Sequence, residues 1–267
     1  MAQKQRLDTL VYAKGLAESR QKAQQFIMAG EIYVNDIRID KPGTSVNEDA
    51  LIEHRGAVCP FVSRGGYKLE KAMQCFPIEL KERSCMDIGA STGGFTDCML
   101  QNGADHVYCV DVGYGQLAWK LRNDPRVTNY ERTNVRALTV EQVPELLDFI
   151  SIDVSFISLT LVLPIAKKFL KPSGSIVALI KPQFEAGKGL VGKNGVVRDP
   201  KIHVSVIEKI LSFCRENGYI ISGLSYSPVK GPKGNIEFLL YLSQEETEVD
   251  VAAIVSQAHE ELDGEKE

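Results

Sequence analysis

The run Cys85-Met86-Asp87-Ile88 passes straight into Gly89-Ala90-Ser91-Thr92-Gly93-Gly94-Phe95-Thr96. An apolar strand that feeds a glycine-rich turn and then a helix is the opening of a βα unit, and it narrows the fold at once. From residue 63 onward the same alternation continues. Strands are expected at 84–88, 107–111, 149–153 and 175–181, with a later pair at 219–226 and 237–242. Helices are expected at 68–75, 96–102, 159–170 and 201–217. Strands separated by helices imply an α/β fold on a mostly parallel sheet.

The first 55 residues follow another plan. Arg6-Leu7-Asp8-Thr9-Leu10-Val11 has apolar residues at helical spacing, and Gly15 stops it. Ser19 reads as the N-cap of a helix running from Arg20 to Ala29 and ending at Gly30. Ile32-Tyr33-Val34 and Ile37-Arg38-Ile39 flank Asn35-Asp36, a hairpin signal. Residues 56–62, with Pro60, read as a linker to the second domain.

The net charge of −4 taken alone argues against a nucleic-acid partner, but its distribution reverses that reading. Residues 243–267 hold nine acids and one lysine, so the rest of the chain is net basic. The first thirty residues carry five bases against two acids. A basic body with an acidic tail is compatible with RNA binding. No apolar run approaches a membrane span, and the start of the chain has no signal-peptide core, so a cytoplasmic protein is expected. The six cysteines form no CxxC pair and are expected to be reduced thiols, without metal.

The N-terminal pattern resembles the S4-like RNA-binding domain, through Arg6-Leu7-Asp8, Ser19-Arg20 with Ala23 and Ile27, Gly30, Val34-Asn35 and Lys41-Pro42-Gly43. That resemblance implies RNA contact by Lys4, Arg6, Arg20 and Lys22. Arg64, and Lys188, Lys193 and Arg198 in the long glycine-rich loop 182–200, are further basic candidates, with Lys230 and Lys233 beyond them.

The turn after Asp87 is not spaced as GxGxxG, and no Walker lysine follows it. A carboxylate at the strand end suits the ammonium of a methionine group better than a pyrophosphate, which it would repel. The next strand ends in Asp111, which could accept both ribose hydroxyls of an adenosine. Asn134 could lie beside the adenine edge. Asp87, Gly89, Ser91, Thr92, Gly93, Gly94, Phe95, Asp111, Asn134 and Asp153 therefore form a candidate site for S-adenosylmethionine.

Methyl transfer to a ribose hydroxyl needs alignment and an acceptor for the hydroxyl proton. A lysine serves if burial and neighbouring positive charge lower its pKa from about 10.4. Lys68, Asp153, Lys181 and Glu237 stand at element ends where such a group could assemble. In order and context they resemble the Lys-Asp-Lys-Glu tetrad of FtsJ-like RNA 2′-O-methyltransferases. With an S4-like module and the motifs SRGGYKL, DIGASTGGFTD, IDVSFISL and LIKPQFE, the chain looks like a member of the TlyA family of rRNA methyltransferases, once named hemolysins.

The resemblance implies a Rossmann-like class I methyltransferase domain with a seven-stranded sheet over residues 63–243. A small α+β S4-like domain would occupy 1–55, and an acidic tail 244–267. It implies that Lys181 takes or orients the hydroxyl proton, that Asp153 and Lys68 tune it and position the ribose, and that Glu237 completes the network. The partner expected is ribosomal RNA in assembled subunits, with cytidine as target. A base-directed amino-methyltransferase is disfavoured, because Asp153-Val154-Ser155-Phe156 lacks the Pro-Pro such enzymes carry. A cytolysin and an inert RNA-binding assembly factor are the readings from other classes.

Overall fold

The computed structural model describes residues 4–28, 30–55, 59–187 and 189–263, and the chain divides into two compact units between Cys59 and Pro60. Residues 56–58 of the expected linker lie outside the described residues. The first unit runs β1 (Lys4–Arg6), α1 (Leu7–Ala13), α2 (Arg20–Met28), β2 (Ile32–Val34), β3 (Ile37–Arg38), β4 (Ser45–Asn47) and β5 (Ile52–His54). Ser19 does cap α2, its Oγ accepting the Lys22 N–H at 3.1 Å. β2 and β3 pair antiparallel across Asn35 and Asp36, both at positive φ, as a two-residue hairpin turn of this hand requires. Leu7, Leu10, Val11, Ala23, Ile27 and Ile32 are at the centre of the unit's own core. β1, β4 and β5 were not foreseen, since three residues are too few to show an alternating pattern.

The second unit runs α3 (Gly65–Cys75), β6 (Ser84–Ile88), α4 (Gly94–Gln101), β7 (His106–Val110), α5 (Trp119–Arg122), β8 (Val127–Tyr130) and β9 (Leu147–Ile152). It continues α6 (Leu159–Ala166), β10 (Leu170–Ile180), α7 (Pro182–Glu185), α8 (Pro200–Glu216), β11 (Ile220–Tyr226), β12 (Phe238–Ser243) and α9 (Val251–Asp263). These strands form one seven-stranded sheet in the order β11-β12-β10-β9-β6-β7-β8. β12 is antiparallel to both neighbours, and the other pairings are parallel. From β6 the chain winds outward through β7 and β8, then returns to β9 on the other side of β6. That reversal opens a crevice at the carboxyl ends of β6 and β9, where open α/β sheets bind ligands.

Three expectations need correction. The helix expected over 159–170 ends at Ala166, with a 3₁₀ turn over Lys167–Phe169. The edge strand β8 was unforeseen, because Val127-Thr128-Asn129-Tyr130 is half polar. The acidic segment is also more than a tail. α9 buries Val251, Val255 and Ala258 and packs on α8 and β11, so its charges are the outer face of a core helix. All six cysteines are free; Cys85, Cys98, Cys109 and Cys214 are buried, and burial pushes the thiols of Cys98 and Cys214 up to about 12.

Candidate active site

β9 delivers Asp153 at its carboxyl end and β10 delivers Lys181 at its own. β12 runs antiparallel to β10 with Phe238 opposite Ile180, so Glu237, just before β12, arrives at the same edge. Lys68 comes from the first turn of α3. Four residues far apart in the chain therefore converge, and all are mostly buried: Lys68 and Lys181 are each 8% exposed and Glu237 is 1% exposed.

Lys68 Nζ donates to Glu237 Oε2 at 2.7 Å and to Asp153 Oδ2 at 3.1 Å. Lys181 Nζ lies 2.5 Å from the other oxygen, Asp153 Oδ1, and donates to Ser155 Oγ at 3.3 Å. The Asp153 Oδ1 contact is close but not aligned as a regular hydrogen bond, leaving that oxygen without a well-directed donor. Burial pulls the Lys68 ammonium down, yet Asp153 and Glu237 outweigh it and hold Lys68 above its ordinary value. Burial pushes Asp153 up, and Lys68 and Lys181 more than reverse this, leaving it below the usual carboxylate range. Lys68 is therefore not a lysine that gives up its proton easily. With two carboxylates in reach it is an ammonium, and its place is structural and electrostatic.

The glycine turn meets the tetrad directly. The Asp153 N–H donates to Ile88 O at 2.9 Å, and a Cβ on Gly89 would stand 2.4 Å from Asp153 O. Gly89 has φ +89°, so both conformation and space demand glycine. Gly93 and Gly94 are explained by packing. A Cβ on Gly93 would strike Leu121 at 2.3 Å, and one on Gly94 would meet Ser63 Oγ at 2.4 Å and the Gly66 nitrogen at 2.7 Å. Gly94 therefore lets the Arg64-Gly65-Gly66 start of α3 press against α4, which positions Lys68. Phe95 is buried at 3% exposure.

Asp87 also differs from expectation. It is 1% exposed, and Oδ2 accepts from Thr96 N at 3.0 Å and Thr96 Oγ1 at 2.7 Å, while Oδ1 accepts from Ser151 Oγ at 3.1 Å. Burial, partly offset by those bonds, raises its pKa to about 6. Asp87 pins the first turn of α4 to the sheet, and its carboxylate is spent inside the protein.

Asp111 is better placed. Its carboxylate accepts the Ser91 N–H at 2.8 Å and the Gly113 N–H at 2.6 Å, and each oxygen retains a further lone pair. Ser91, at φ +49°, also bonds Gln116 through Oγ, while Thr92 O accepts the Ala118 N–H. Asn134 is exposed, and its Oδ1 caps a short 3₁₀ turn by accepting the Arg136 N–H at 3.1 Å. The site residues that fit an adenosyl group are those of the turn, Asp111 and the backbone at Gly89. Asp87, Gly93, Gly94 and Phe95 support it from within.

Of the basic candidates, Lys4, Arg6 and Arg20 are exposed in the first unit, where Lys22 is half-buried with Nζ 5.3 Å over the Phe26 ring. Arg64 and Arg198 are exposed in the second. Lys230 is instead engaged by Asp263 of α9 at 2.6 Å. Lys188 and the Lys193 side chain lie outside the described residues. Among the described residues no group of three or more His, Cys, Asp or Glu could hold a metal ion, and no helix is long and apolar enough to cross a membrane.

Residues 61–244 match the model of the FtsJ-like methyltransferase family, and residues 5–52 match the S4 domain. The chain is 45% identical to the 16S/23S rRNA (cytidine-2′-O)-methyltransferase TlyA of Mycobacterium tuberculosis, over 91% of each chain. The chain belongs to the TlyA family. It is also 50% identical to YqxC of Bacillus subtilis, over 98% of this chain and 96% of that one. A solved Streptococcus thermophilus structure that carries a hemolysin name superposes with a TM-score of 0.78 at 45% identity, covering 99% and 98% of the two chains.

Two features of this TlyA-family site escaped the sequence reading. Phe156 is 90% exposed at φ +64°, an unusual backbone for an aromatic residue, with its ring 4.9 Å from that of Phe184. Glu185 is 4% exposed and accepts from Ser158 Oγ and Leu159 N, both at 2.7 Å, joining the segment after Lys181 to the start of α6. Their motifs, IDVSF and KPQFE, were visible, but an aromatic or a glutamate beside a strand end carries no signal of exposure or pairing.

Proposed function

We propose that this chain is an S-adenosylmethionine-dependent 2′-O-ribose methyltransferase that modifies cytidine in ribosomal RNA of assembled subunits, in the cytoplasm. The observation that carries this reading is the convergence of Lys68, Asp153, Lys181 and Glu237 at one sheet edge, beside the Gly89 turn. Two lysines and two carboxylates in contact offer an acceptor site for a hydroxyl group. The segment Asp153-Val154-Ser155-Phe156 lacks the Pro-Pro carried by enzymes that methylate the exocyclic amine of a base. The names of the TlyA relatives point to the same substrate.

S-adenosylmethionine, when bound along the turn from Gly89 to Thr92 with its ribose at Asp111, supplies an electrophilic methyl group. Lys181 takes or orients the proton of the 2′-hydroxyl. It suits that task better than Lys68, which both Asp153 and Glu237 hold as an ammonium. Asp153, anchored on Lys68, fixes the position of Lys181 and restores charge balance as the proton moves. Glu237 keeps Lys68 in place. The exposed ring of Phe156 offers a stacking face for the target base. The S4 unit holds the RNA through its arginines and lysines.

The test is direct. Purified protein, labelled cofactor and isolated ribosomal subunits are combined, and the RNA is digested to nucleosides. Label in 2′-O-methylcytidine is expected; label confined to methylated bases, or to protein, contradicts the proposal.

A further inference from the structure

In the first unit, Asp8 has no exposed side-chain surface, yet it touches two arginines that are each about half exposed. Arg6 grips it with Nε at 3.0 Å and Nη2 at 2.9 Å. Arg20 reaches Oδ2 with Nε and Nη2, both at 3.2 Å, and Gln24 adds a bond of 2.7 Å. The two guanidinium groups thus meet one carboxylate. Contacts of 2.9 and 3.2 Å to the same oxygen keep their Nη2 atoms within about 6 Å of each other. Two guanidinium charges so close repel, and left alone these long side chains would spread apart. The arginines hold the Asp8 carboxyl well below the usual range, so it is an anion at every working pH.

Each arginine gives its Nε–Nη2 edge to Asp8, which leaves Nη1 for another acceptor. For Arg6 that outer group lies by the Lys41-Pro42-Gly43 turn, and a Cβ on Gly43 would come within 3.3 Å of Nη1. Glycine keeps that edge uncovered. The result is a pair of half-exposed guanidinium groups held side by side on one carboxylate, each with an Nη1 left to donate to phosphate.

We propose that Asp8 is a positioning residue for RNA binding, which holds Arg6 and Arg20 as a preformed clamp on backbone phosphate. This rests on the reading of the first unit as an RNA-binding module. Its sharpest consequence opposes simple charge counting. Removing an acid from an RNA-facing surface should tighten binding if only net charge matters. Removing this one weakens it.

The experiment measures binding of the full chain to a fluorescein-labelled RNA stem-loop by anisotropy, at several salt concentrations. Asp8→Asn is expected to bind about tenfold more weakly than wild type, and its salt slope to fall by up to about two phosphate contacts. The control Asp40→Asn, which removes an exposed acid of the same unit, binds as well as wild type or better. In an Arg6→Ala/Arg20→Ala background, Asp8→Asn adds no further loss. Arg6→Lys and Arg20→Lys, which keep the charge without the fork, each weaken binding several-fold and serve if Asp8→Asn does not fold. Folded Asp8→Asn that binds as tightly as wild type, or lysine variants that match it, overturn the proposal. A wild-type chain that binds no RNA would instead remove the underlying reading.

Discussion

The carbonyl oxygen of Asp153 stands where a side chain of Gly89 would begin: a Cβ there would lie 2.4 Å away. The turn proposed for the cofactor and the proposed acceptor site are thus in direct backbone contact where β6 and β9 end side by side. Gly89→Ala should damage both at once. It forces an alanine to positive φ and drives apart β6 and β9, for a cost of at least about 2 kcal/mol. Cofactor affinity by calorimetry and methyl transfer should fall together. Loss of one with the other intact would show that the two sites are independent.

Lys181 and Lys68 should separate by experiment. Lys181→Met is expected to lower the turnover rate by about 10²–10⁴-fold, with cofactor and RNA affinities near those of wild type. Glu237→Leu leaves Lys68 buried with Asp153 alone, and should cost about 3–5 kcal/mol of stability by denaturant unfolding as well as activity. A Glu237→Leu protein as stable as wild type contradicts the role given to Glu237.

His203 is fully buried; Nε2 faces Val197 O at 3.2 Å and Nδ1 faces His259 at 2.9 Å. Burial, and then His259, lower its pKa from 6.5 to about 4. The unfolded chain therefore binds more protons than the folded one between pH 4 and 6.5, so this histidine makes stability rise with pH across that window and fall as acid is added. Asp87, raised to about 6, acts in the opposite sense over nearly the same range. Comparing wild type with His203→Leu cancels the Asp87 contribution. The wild-type stability should have the more positive slope with pH, by up to about 1.4 kcal/mol per pH unit, and parallel curves would refute the assignment.

The acidic C-terminal segment should not be removable. Val251, Val255 and Ala258 are at most 5% exposed, and Asp263 holds Lys230 in the loop that leads to Glu237. Deleting residues 245–267 uncovers core surface worth several kcal/mol, at about 25 cal/mol per Å² of apolar area. A clear drop in the thermal midpoint is expected. Unchanged stability would return the segment to the status of a tail.

Much of this was legible beforehand, for reasons that differ by residue. The strand ending at Ile88 and the helix following Gly94 announce themselves by apolar runs and glycines. Asp153 and Lys181 end runs of that kind, so their placement at the sheet's carboxyl edge followed from the alternation. Glu237 and Lys68 did not follow from pattern, because their meeting depends on the antiparallel entry of β12 and on the packing of α3 against α4. They were reached through family resemblance. Asp87 was read wrongly for a physical reason: a carboxylate beside a glycine turn looks available to a ligand, and only burial and the Thr96 and Ser151 bonds reveal that it is not. Apolar spacing over 249–259 does suggest a short amphipathic helix, but the acidic residues around it read as a surface cap, and only the burial of Val251, Val255 and Ala258 makes α9 part of the core.

The most direct test of the central claim is the map of 2′-O-methylation in ribosomal RNA from cells that lack this protein. At least one 2′-O-methylcytidine is expected to disappear, to return with the wild-type chain, and to stay absent with Lys181→Met expressed at the same level. An unchanged map, or full restoration by Lys181→Met, would contradict it.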